Sequence, residues 1–180
     1  MSTPTDADRV TLHIAGHVHG DWLKYSIDSD FFTPADGWSV SLGTPATALP
    51  EYIQPWAEVQ IRVGDDLVMS GRVDRVRHAF RKSEHVLDIR GRDGAAVLLD
   101  CSAPIFVSRE VTLPEAVATV ARPLGIAKLD IAGRDAAFGK GTVEPGMSAW
   151  EVIQQAAEVS GLWPWFTPDG TLKIAAPDYT

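Results

Sequence analysis

The chain has 180 residues, of which 45% are hydrophobic and 22% are charged, a composition typical of a soluble globular protein. Its formal net charge of −8 argues against a general nucleic-acid binder, because such proteins need a basic surface to displace phosphate counterions. The single cysteine, Cys101, excludes an internal disulfide framework and a cysteine-rich metal site. The first residues show no secretory signal, and no apolar run is long enough for membrane insertion.

The N-terminal half shows the period-two alternation that is typical of β-strands. Apolar and polar residues alternate from Val10 to Ile14, and the alternation stops at Gly16. The further predicted strands span residues 22–30, 38–42, 59–63, 67–76 (broken near Gly71), 76–81 and 85–90. Six or seven short strands joined by turns indicate an antiparallel sandwich or barrel.

The pattern changes from strands to helices after Pro104. Thr112 and Glu115 have the spacing of a capping box, in which two side chains satisfy the free N–H groups at a helix start. The apolar residues that follow fall on one helical face, and Gly125 closes the element. This pattern predicts an amphipathic helix between these positions.

A second copy of this helix pattern begins 36 residues later along the chain. Ser148 and Glu151 repeat the capping box, and Gly161 ends the apolar stretch that follows. Each helix is followed by an extended segment, and the last segment returns through a turn at residues 168–170 as a hairpin. The second half is therefore predicted to be a small α+β module with two similar helices and a hairpin.

Basic residues are concentrated in one part of the strand-rich half. Eight of the sixteen Lys and Arg residues lie between Arg62 and Asp93, and six acidic residues are interleaved with them. Mixed signs on strands favour a solvated face with cross-strand ion pairs over a nucleic-acid patch.

A histidine cluster is the best candidate for a metal site. His13, His17 and His19 lie close together with Asp21 after them, and neutral imidazole is a common metal ligand. On one strand the three histidines would share a face, but Gly16 indicates that the strand ends in a turn. Because no second ligand cluster occurs, we interpret them as plain surface residues and expect no metal and no cofactor.

Residues 89–105 join the strand-rich half to the helix-rich half. Gly91 and Gly94 are expected to supply turn freedom and a backbone geometry that a side chain would obstruct. We call residues 89–105 the joint and place the boundary between the two halves within it, after residue 103.

The joint also contains Asp100, Cys101 and Ser102, which we considered as catalytic residues. Ser102 lacks the Gly-x-Ser-x-Gly context of a hydrolase nucleophile, and Cys101 lacks the context of a thiol protease. We therefore interpret Cys101 as a buried structural thiol and expect Asp100 to cap a turn or to pair with Arg92. No catalytic residue is predicted.

Six tryptophans are many for a chain of this length. Most are predicted to lie in the core, since Trp38 and Trp150 fall on apolar faces. Trp163 and Trp165 flank Pro164 on an extended segment, and aromatic residues are enriched in buried interface cores. These two tryptophans are the best candidates for contact with another domain or chain.

Several motifs follow one another in a recognisable order over residues 9–176. They are Val10–Gly16, a strand at Trp22, Ile61–Asp65, Ser70–Asp74, Ile89–Asp93, Leu99–Ala103, Glu144–Glu151 and Pro168–Lys173. This order resembles the baseplate hub proteins of contractile-tailed bacteriophages, the Mu-like tail protein family. The glycines and the Asp-Cys-Ser sequence of the joint are the most specific part of the resemblance.

The resemblance implies an α+β protein with a tube-like, β-barrel-like domain at residues 9–103 and an α+β module at residues 104–180. It implies a structural virion protein of the phage tail baseplate, present in the host cytoplasm before assembly. Such hubs are homotrimers that link the tail tube and adjacent baseplate proteins to the central spike protein, and DNA passes through their channel only in transit. Type VI secretion spike proteins use a related architecture.

Two further expectations concern length and alternative functions. Members of that family are usually about twice as long, so we expect either a fragment of a longer hub protein or a shortened relative. The alternatives are a cell-wall (peptidoglycan) hydrolase, which would need converging carboxylates or a metal, and a carbohydrate-binding module using Trp163 and Trp165.

Overall fold

The computed structural model describes residues 8–43, 50–80, 85–105, 107–108, 111–132, 137–138 and 141–176. The chain divides into two compact units, Met1–Asp93 and Gly94–Thr180, which we call the β unit and the α+β unit. The division lies before the expected boundary at residue 103. The residues in between include the apolar segment Ala95–Asp100, which is a helix and packs within the α+β unit.

In its described residues, the β unit forms one antiparallel sheet of seven strands. The strands are β1 (Val10–Ile14), β2 (His17–His19), β3 (Lys24–Asp28), β4 (Gly37–Gly43), β5 (Glu58–Val63), β6 (Asp66–Phe80) and β7 (His85–Asp93). Their order across the sheet is β2-β1-β5-β6-β7-β4-β3. Strands are found at each predicted position, but the two strands predicted at residues 67–76 and 76–81 correspond to the single strand β6. The turn predicted at residues 82–84 lies outside the described residues.

The two edge strands of this sheet are neighbours along the chain. Only residues 20–23 connect β2 to β3, and five extended residues span at most about 17 Å. A flat sheet of seven strands would separate its edge strands by about 29 Å, at about 4.8 Å per strand. The sheet must therefore curl towards a half-barrel. Within the described residues β2 and β3 do not pair, so hydrogen bonds do not close the barrel.

One face of the curled sheet carries the hydrophobic core. The buried core residues are Val10, Leu12, Ile14, Trp38, Val40, Ile53, Val59, Ile61, Met69, Val73, Leu87 and Ile89. All except Ile53 alternate along strands, so they share one face, and the residues between them point to the other face. We call that second, polar face the outer face.

Strand β6 is continuous where the sequence predicted a break. Gly71 lies inside the strand, and a Cβ atom there would overlap the carbonyl oxygen of Arg92. The glycine therefore allows close approach of the neighbouring strand and does not end β6. A shift of register between Val73 and Arg75 shows that the irregularity of β6 is a bulge.

The described part of the α+β unit contains three helices and several short strands. They are α1 (Ala95–Asp100), β8 (Val107–Ser108), β9 (Val111–Thr112), α2 (Leu113–Ala121), β10 (Leu129–Ile131), β11 (Ala137–Phe138), β12 (Gly141–Thr142), α3 (Ala149–Val159), β13 (Trp163–Phe166) and β14 (Leu172–Ala175). A 3-10 turn, Arg122–Leu124, follows α2. Strand β14 pairs in parallel with β10 and antiparallel with β13, while β9 pairs with β11 and β8 with β12.

Both predicted capping boxes form in the structure. The backbone N–H of Thr112 donates to the carboxylate of Glu115 at 3.0 Å, and that of Ser148 donates to Glu151 at 2.7 Å. These backbone hydrogen bonds, followed by those from the capping hydroxyls, lower the pKa of each glutamate. The two helices predicted at an offset of 36 residues are therefore confirmed.

The glycines that end these helices adopt left-handed backbone angles. Gly125 has a φ of 85° and Gly161 a φ of 68°, a region that favours glycine over residues with a Cβ atom. Helix α2 packs on α3, and α3 also contacts α1 and β13. Helix α1 was not predicted, because six residues are too few to display a helical period. None of the helices in the described residues is both long and apolar enough to cross a membrane.

Candidate functional site

Gly91 of the joint lies inside β7, beneath the indole ring of Trp38. A Cβ atom on Gly91 would lie 2.5 Å from Cζ2 of Trp38 and would also overlap the carbonyl oxygen of Arg72. The φ angle of Gly91 is not positive. The expectation of turn freedom at Gly91 is therefore wrong, whereas the expected obstruction of a side chain is found. The glycine is needed because a ring and a neighbouring strand occupy the space of a side chain.

Gly94 opens the α+β unit immediately before α1. Its φ is −64°, so it is not a left-handed turn residue either. A Cβ atom at Gly94 would lie 2.6 Å from Cε1 of Phe166 in β13. As at Gly91, close packing against an aromatic ring explains the glycine, and the predicted turn freedom at Gly94 is also wrong.

Arg92 is a charged residue of the joint that lies on the outer face of the β unit. Its Nε donates to Oδ2 of Asp74 at 2.6 Å, and each side chain is about one-third exposed. A charge-assisted hydrogen bond of this length is among the stronger kinds in proteins. Asp74 was not identified as the partner from the sequence, since only the register of β6 on β7 brings the two residues together.

Residues 101–103 are held by backbone hydrogen bonds to the start of α3. The carbonyl of Cys101 accepts from the N–H of Ala149 at 2.8 Å, and the N–H of Ala103 donates to Met147 at 2.9 Å. Ser102 forms an isolated antiparallel bridge with Ser148. Asp100 is the last residue of α1. Pairing with the capping segment of α3 thus holds residues 101–103 of the joint.

The thiol of the joint is more accessible than predicted, and the adjacent hydroxyl is accessible as well. Cys101 is only partly buried, which corrects the interpretation of it as a buried thiol. Ser102 is exposed, and within the described part of the chain its hydroxyl has no histidine or carboxylate partner that would activate it. The described residues likewise contain no group of three or more His, Cys, Asp or Glu side chains that could hold a metal ion.

A tight turn separates the histidines of the proposed cluster. Ala15 and Gly16, both with positive φ, reverse the chain between β1 and β2. The register places His17 opposite Ile14 and His13 opposite Val18. Because strand residues alternate between faces, His13 lies on the face opposite that of His17, so the three imidazoles do not converge.

His17 and His19 instead pack against Tyr52. The His17 ring stacks on the tyrosine ring at 4.0 Å between centroids, and Nε2 of His19 lies 3.3 Å from the tyrosine hydroxyl. Burial, and next the neighbouring His17, lower the pKa of His19. The two histidines thus pack on one tyrosine ring and do not form a ligand set.

Trp163 and Trp165 lie on the same face of the small sheet. They are two residues apart in β13, and both are partly buried, whereas Pro164 between them is fully buried on the helix side. Lys173 of β14 is opposite Trp165, with its Nζ 6.0 Å from the ring centroid and 3.6 Å from Asp130. The two rings therefore form one amphipathic surface with an adjacent ion pair.

The outer face of the β unit carries cross-strand charges of both signs, as predicted. Arg72 lies 3.5 Å from Glu58 of β5, and Arg92 is paired with Asp74. A second group on this face was missed from the sequence. It surrounds a depression of about 80 Å³ and consists of Arg75, Arg77, Asp88 and Arg90.

Two family models match the chain consecutively, one on each structural unit. Residues 9–93 match the N-terminal domain of the Mu phage baseplate assembly protein GpP-like family, and residues 95–176 match the second domain of the gp44-like baseplate hub proteins. The chain belongs to the Mu-like baseplate hub protein family. The junction between the two matches, at residues 93–95, coincides with the junction between the two units of the hub chain.

Individual relatives agree with this assignment. The baseplate hub protein gp44 of Escherichia phage Mu is 21% identical over 161 residues, which are 87% of this chain and 42% of that protein. A tail protein from Neisseria meningitidis MC58 is 33% identical with a TM-score of 0.82, covering 95% of this chain and 51% of the other. The 43 kDa tail protein of prophage MuSo2 from Shewanella oneidensis is 22% identical with a TM-score of 0.85, covering 96% and 54%.

A more distant structure has the same fold. The Escherichia coli c3393 protein, a component of the type VI secretion system, has a TM-score of 0.64 at 13% identity, covering 91% of this chain and 47% of that chain. This hub chain thus spans about half the length of the relatives it matches.

Proposed function

We propose that the chain is a non-enzymatic hub subunit that links the tail tube and adjacent baseplate proteins to the central spike. In the intact protein three copies form a ring, and the ring encloses a channel through which DNA passes. The protein is located in the virion, after a period in the host cytoplasm. In this assignment the joint of Gly91, Arg92, Gly94, Asp100, Cys101 and Ser102 connects the tube domain to the α+β module.

The observation that carries the proposal is the succession of two hub-type units along one chain, at residues 9–93 and 95–176. The open form of the β unit supports it, because β2 and β3 are sheet edges within the described residues. Edge strands present unpaired backbone groups that neighbouring chains can cover. Closed cyclic symmetry is the usual way in which such lateral contacts end in a ring.

The net charge of −8 fits a conduit better than a DNA-binding protein. A protein that holds DNA neutralises phosphates with basic side chains, and each such contact slows release. A chain with an excess of carboxylates repels the duplex and lets it pass.

Light scattering and electron microscopy of the purified protein test the proposal. We expect a molecular mass of three chains and, in negative stain, a ring with a central hole. A strictly monomeric protein at the highest attainable concentration would contradict it.

The shared face of Trp163 and Trp165 also suits a carbohydrate-binding module, since sugar rings pack on aromatic faces. Sedimentation with purified peptidoglycan separates this second candidate from the hub. For a hub we expect no retention of either the wild type or a Trp165→Ala variant. Retention of the wild type that is lost in Trp165→Ala would support the carbohydrate-binding function, and release of soluble fragments would support a hydrolase.

A further inference from the structure

Two pairs of arginines face each other directly across strands β6 and β7. Arg72 is opposite Arg92, and Arg75 is opposite Arg90. Like charges directly opposite each other in a sheet are destabilising unless counter-charges lie nearby. The two pairs differ in how this repulsion is compensated.

The first pair has a carboxylate for each guanidinium. Glu58 lies 3.5 Å from Arg72, and Asp74 lies 2.6 Å from Arg92. The outer face is thus electrically balanced at this position. The chain supplies its own counter-charges here, and no external partner is required.

The second pair has no such partners. In the described parts of the chain, neither Arg75 nor Arg90 makes an ion pair, and the adjacent Arg77 makes none. The acidic side chain that lines the same depression is Asp88, opposite Arg77, and Ser41 donates to its carboxylate at 2.6 Å. Three exposed guanidinium groups therefore surround the 80 Å³ depression with one carboxylate between them.

Guanidinium groups arranged in this way select oxygen anions. The planar fork of arginine binds carboxylate or phosphate groups through two parallel hydrogen bonds. Nucleic acid is disfavoured as the source of these anions, because the chain as a whole carries a net charge of −8. The remaining source of oxygen anions is the carboxylate groups of another protein chain. In a ring, the nearest such chain is a second copy of this one.

The chain carries a complementary surface at the β3 edge of the sheet. Asp28 ends β3, Asp30 follows it, and Asp36 closes the β3–β4 loop directly before β4. None of the three makes an ion pair in the described residues. The Asp36 carboxylate accepts hydrogen bonds from the Ser29 hydroxyl at 2.6 Å and from the Asp30 N–H at 3.1 Å, so the loop is ordered.

We infer that the cluster of Arg75, Arg77 and Arg90 binds the acidic β3 edge of a neighbouring copy of this chain. The contact is an ion-pair network between neighbouring copies of the chain in the ring. The inference rests on the proposed hub ring and goes beyond it by naming the two surfaces that meet. Each chain contacts one neighbour through its arginine cluster and the other neighbour through its acidic edge. Such a heterologous contact closes into a ring under cyclic symmetry.

Sedimentation equilibrium of the full chain tests this contact through charge reversal. We expect association of the wild type to weaken steadily as sodium chloride is raised, because screening reduces ion-pair attraction. Arg75→Glu with Arg90→Glu is expected to weaken association by about tenfold or more, and Asp28→Arg with Asp30→Arg by a similar factor. The variant that carries all four substitutions is expected to regain most of the association. An Arg72→Glu variant provides a control on the same face, and melting curves check that each variant folds.

The outcomes separate this inference from the hub proposal. If the wild type assembles but neither reversed pair alters its association, or if the fourfold variant shows no recovery, the contact is wrong and the ring still stands. If the wild type is monomeric at every concentration and salt level, the ring and the contact both fail. Retention of a duplex oligonucleotide that is lost in Arg75→Glu with Arg90→Glu would overturn the inference and assign the cluster to nucleic acid.

Discussion

The indole ring of Trp38 occupies the space in which a side chain on Gly91 would lie, with Cζ2 at 2.5 Å from the position of a Cβ atom. Trp38 is 4% exposed and belongs to the core of the β unit. The two residues are direct cross-strand partners in β4 and β7. Packing in the first unit therefore depends on a residue of the joint.

A Gly91→Ala substitution is expected to destabilise the protein by about 1–3 kcal/mol, the usual range for adding atoms to a packed core. Urea denaturation, followed through tryptophan fluorescence, measures the loss. Gly37→Ala is the matched control, because Gly37 is a strand glycine in the neighbouring β4 and has no atom within 4 Å of its Cβ position. Equal effects at both glycines would show that backbone entropy, rather than the contact with Trp38, explains Gly91.

The capping box of α3 predicts an acid-sensitive contribution to stability. The pKa of Glu151 lies below its ordinary value of 4.5, because the Ser148 backbone and hydroxyl bind the carboxylate. The folded state thus binds fewer protons than the unfolded state in this range, and stability rises with pH. The contribution is fully present above pH 4.5 and is lost as the pH falls through the lowered pKa.

Denaturation curves from about pH 7 to about pH 3 test this capping box. We expect Glu151→Gln to be less stable than the wild type at neutral pH and the difference to shrink in acid. Ser148→Ala is expected to cost about 1 kcal/mol at neutral pH. Glu144→Gln is the control, because the carboxylate of Glu144 is exposed and lies outside the box. A difference that stays constant with pH would argue against the ionised cap.

The environment of His19 predicts a second pH-dependent contribution to stability, in a higher pH range than that of Glu151. Its pKa is lowered from 6.5 by burial beside Tyr52 and by His17, so the unfolded chain takes up a proton that the folded chain resists. Stability therefore decreases as the pH falls below about 6.5. His19→Gln is expected to flatten this dependence between about pH 7.5 and 5.5, whereas His13→Gln on the opposite face retains it. Identical slopes for both variants would exclude His19 as the cause.

Asp169 organises the hairpin between β13 and β14. The hydroxyls of Thr167 and Thr171 donate to its carboxylate at 2.6 and 2.9 Å and hold its pKa well below the usual range, with help from Lys128. Asp169→Ala is expected to destabilise the protein more than Asp169→Asn, since the amide oxygen still accepts a hydrogen bond. The contribution of the ionised carboxylate is fully present above pH 3.8 and is lost progressively as the pH falls from there towards the lowered pKa. Urea midpoints of the three proteins provide the measurement.

The sequence by itself determined the local elements and the family. Alternation of residues such as Val10, Leu12 and Ile14 marks strands, since one face of a sheet is buried whatever its partners are. The capping pairs Thr112 with Glu115 and Ser148 with Glu151 involve residues three positions apart, so no distant contact decides them. The motifs that resemble the hub family mark such local strands, turns and capped helices, so their order could be read from the sequence.

Only the tertiary structure decided which residues meet. Strand register places Arg92 beside Asp74 and leaves Arg75 opposite Arg90, and a shift of one residue would change both results. The reason for Gly91 depends on the position of the Trp38 ring in a strand more than fifty residues earlier. Pairing between distant strands depends on the free energy of the whole core. A local pattern of residues does not determine that free energy.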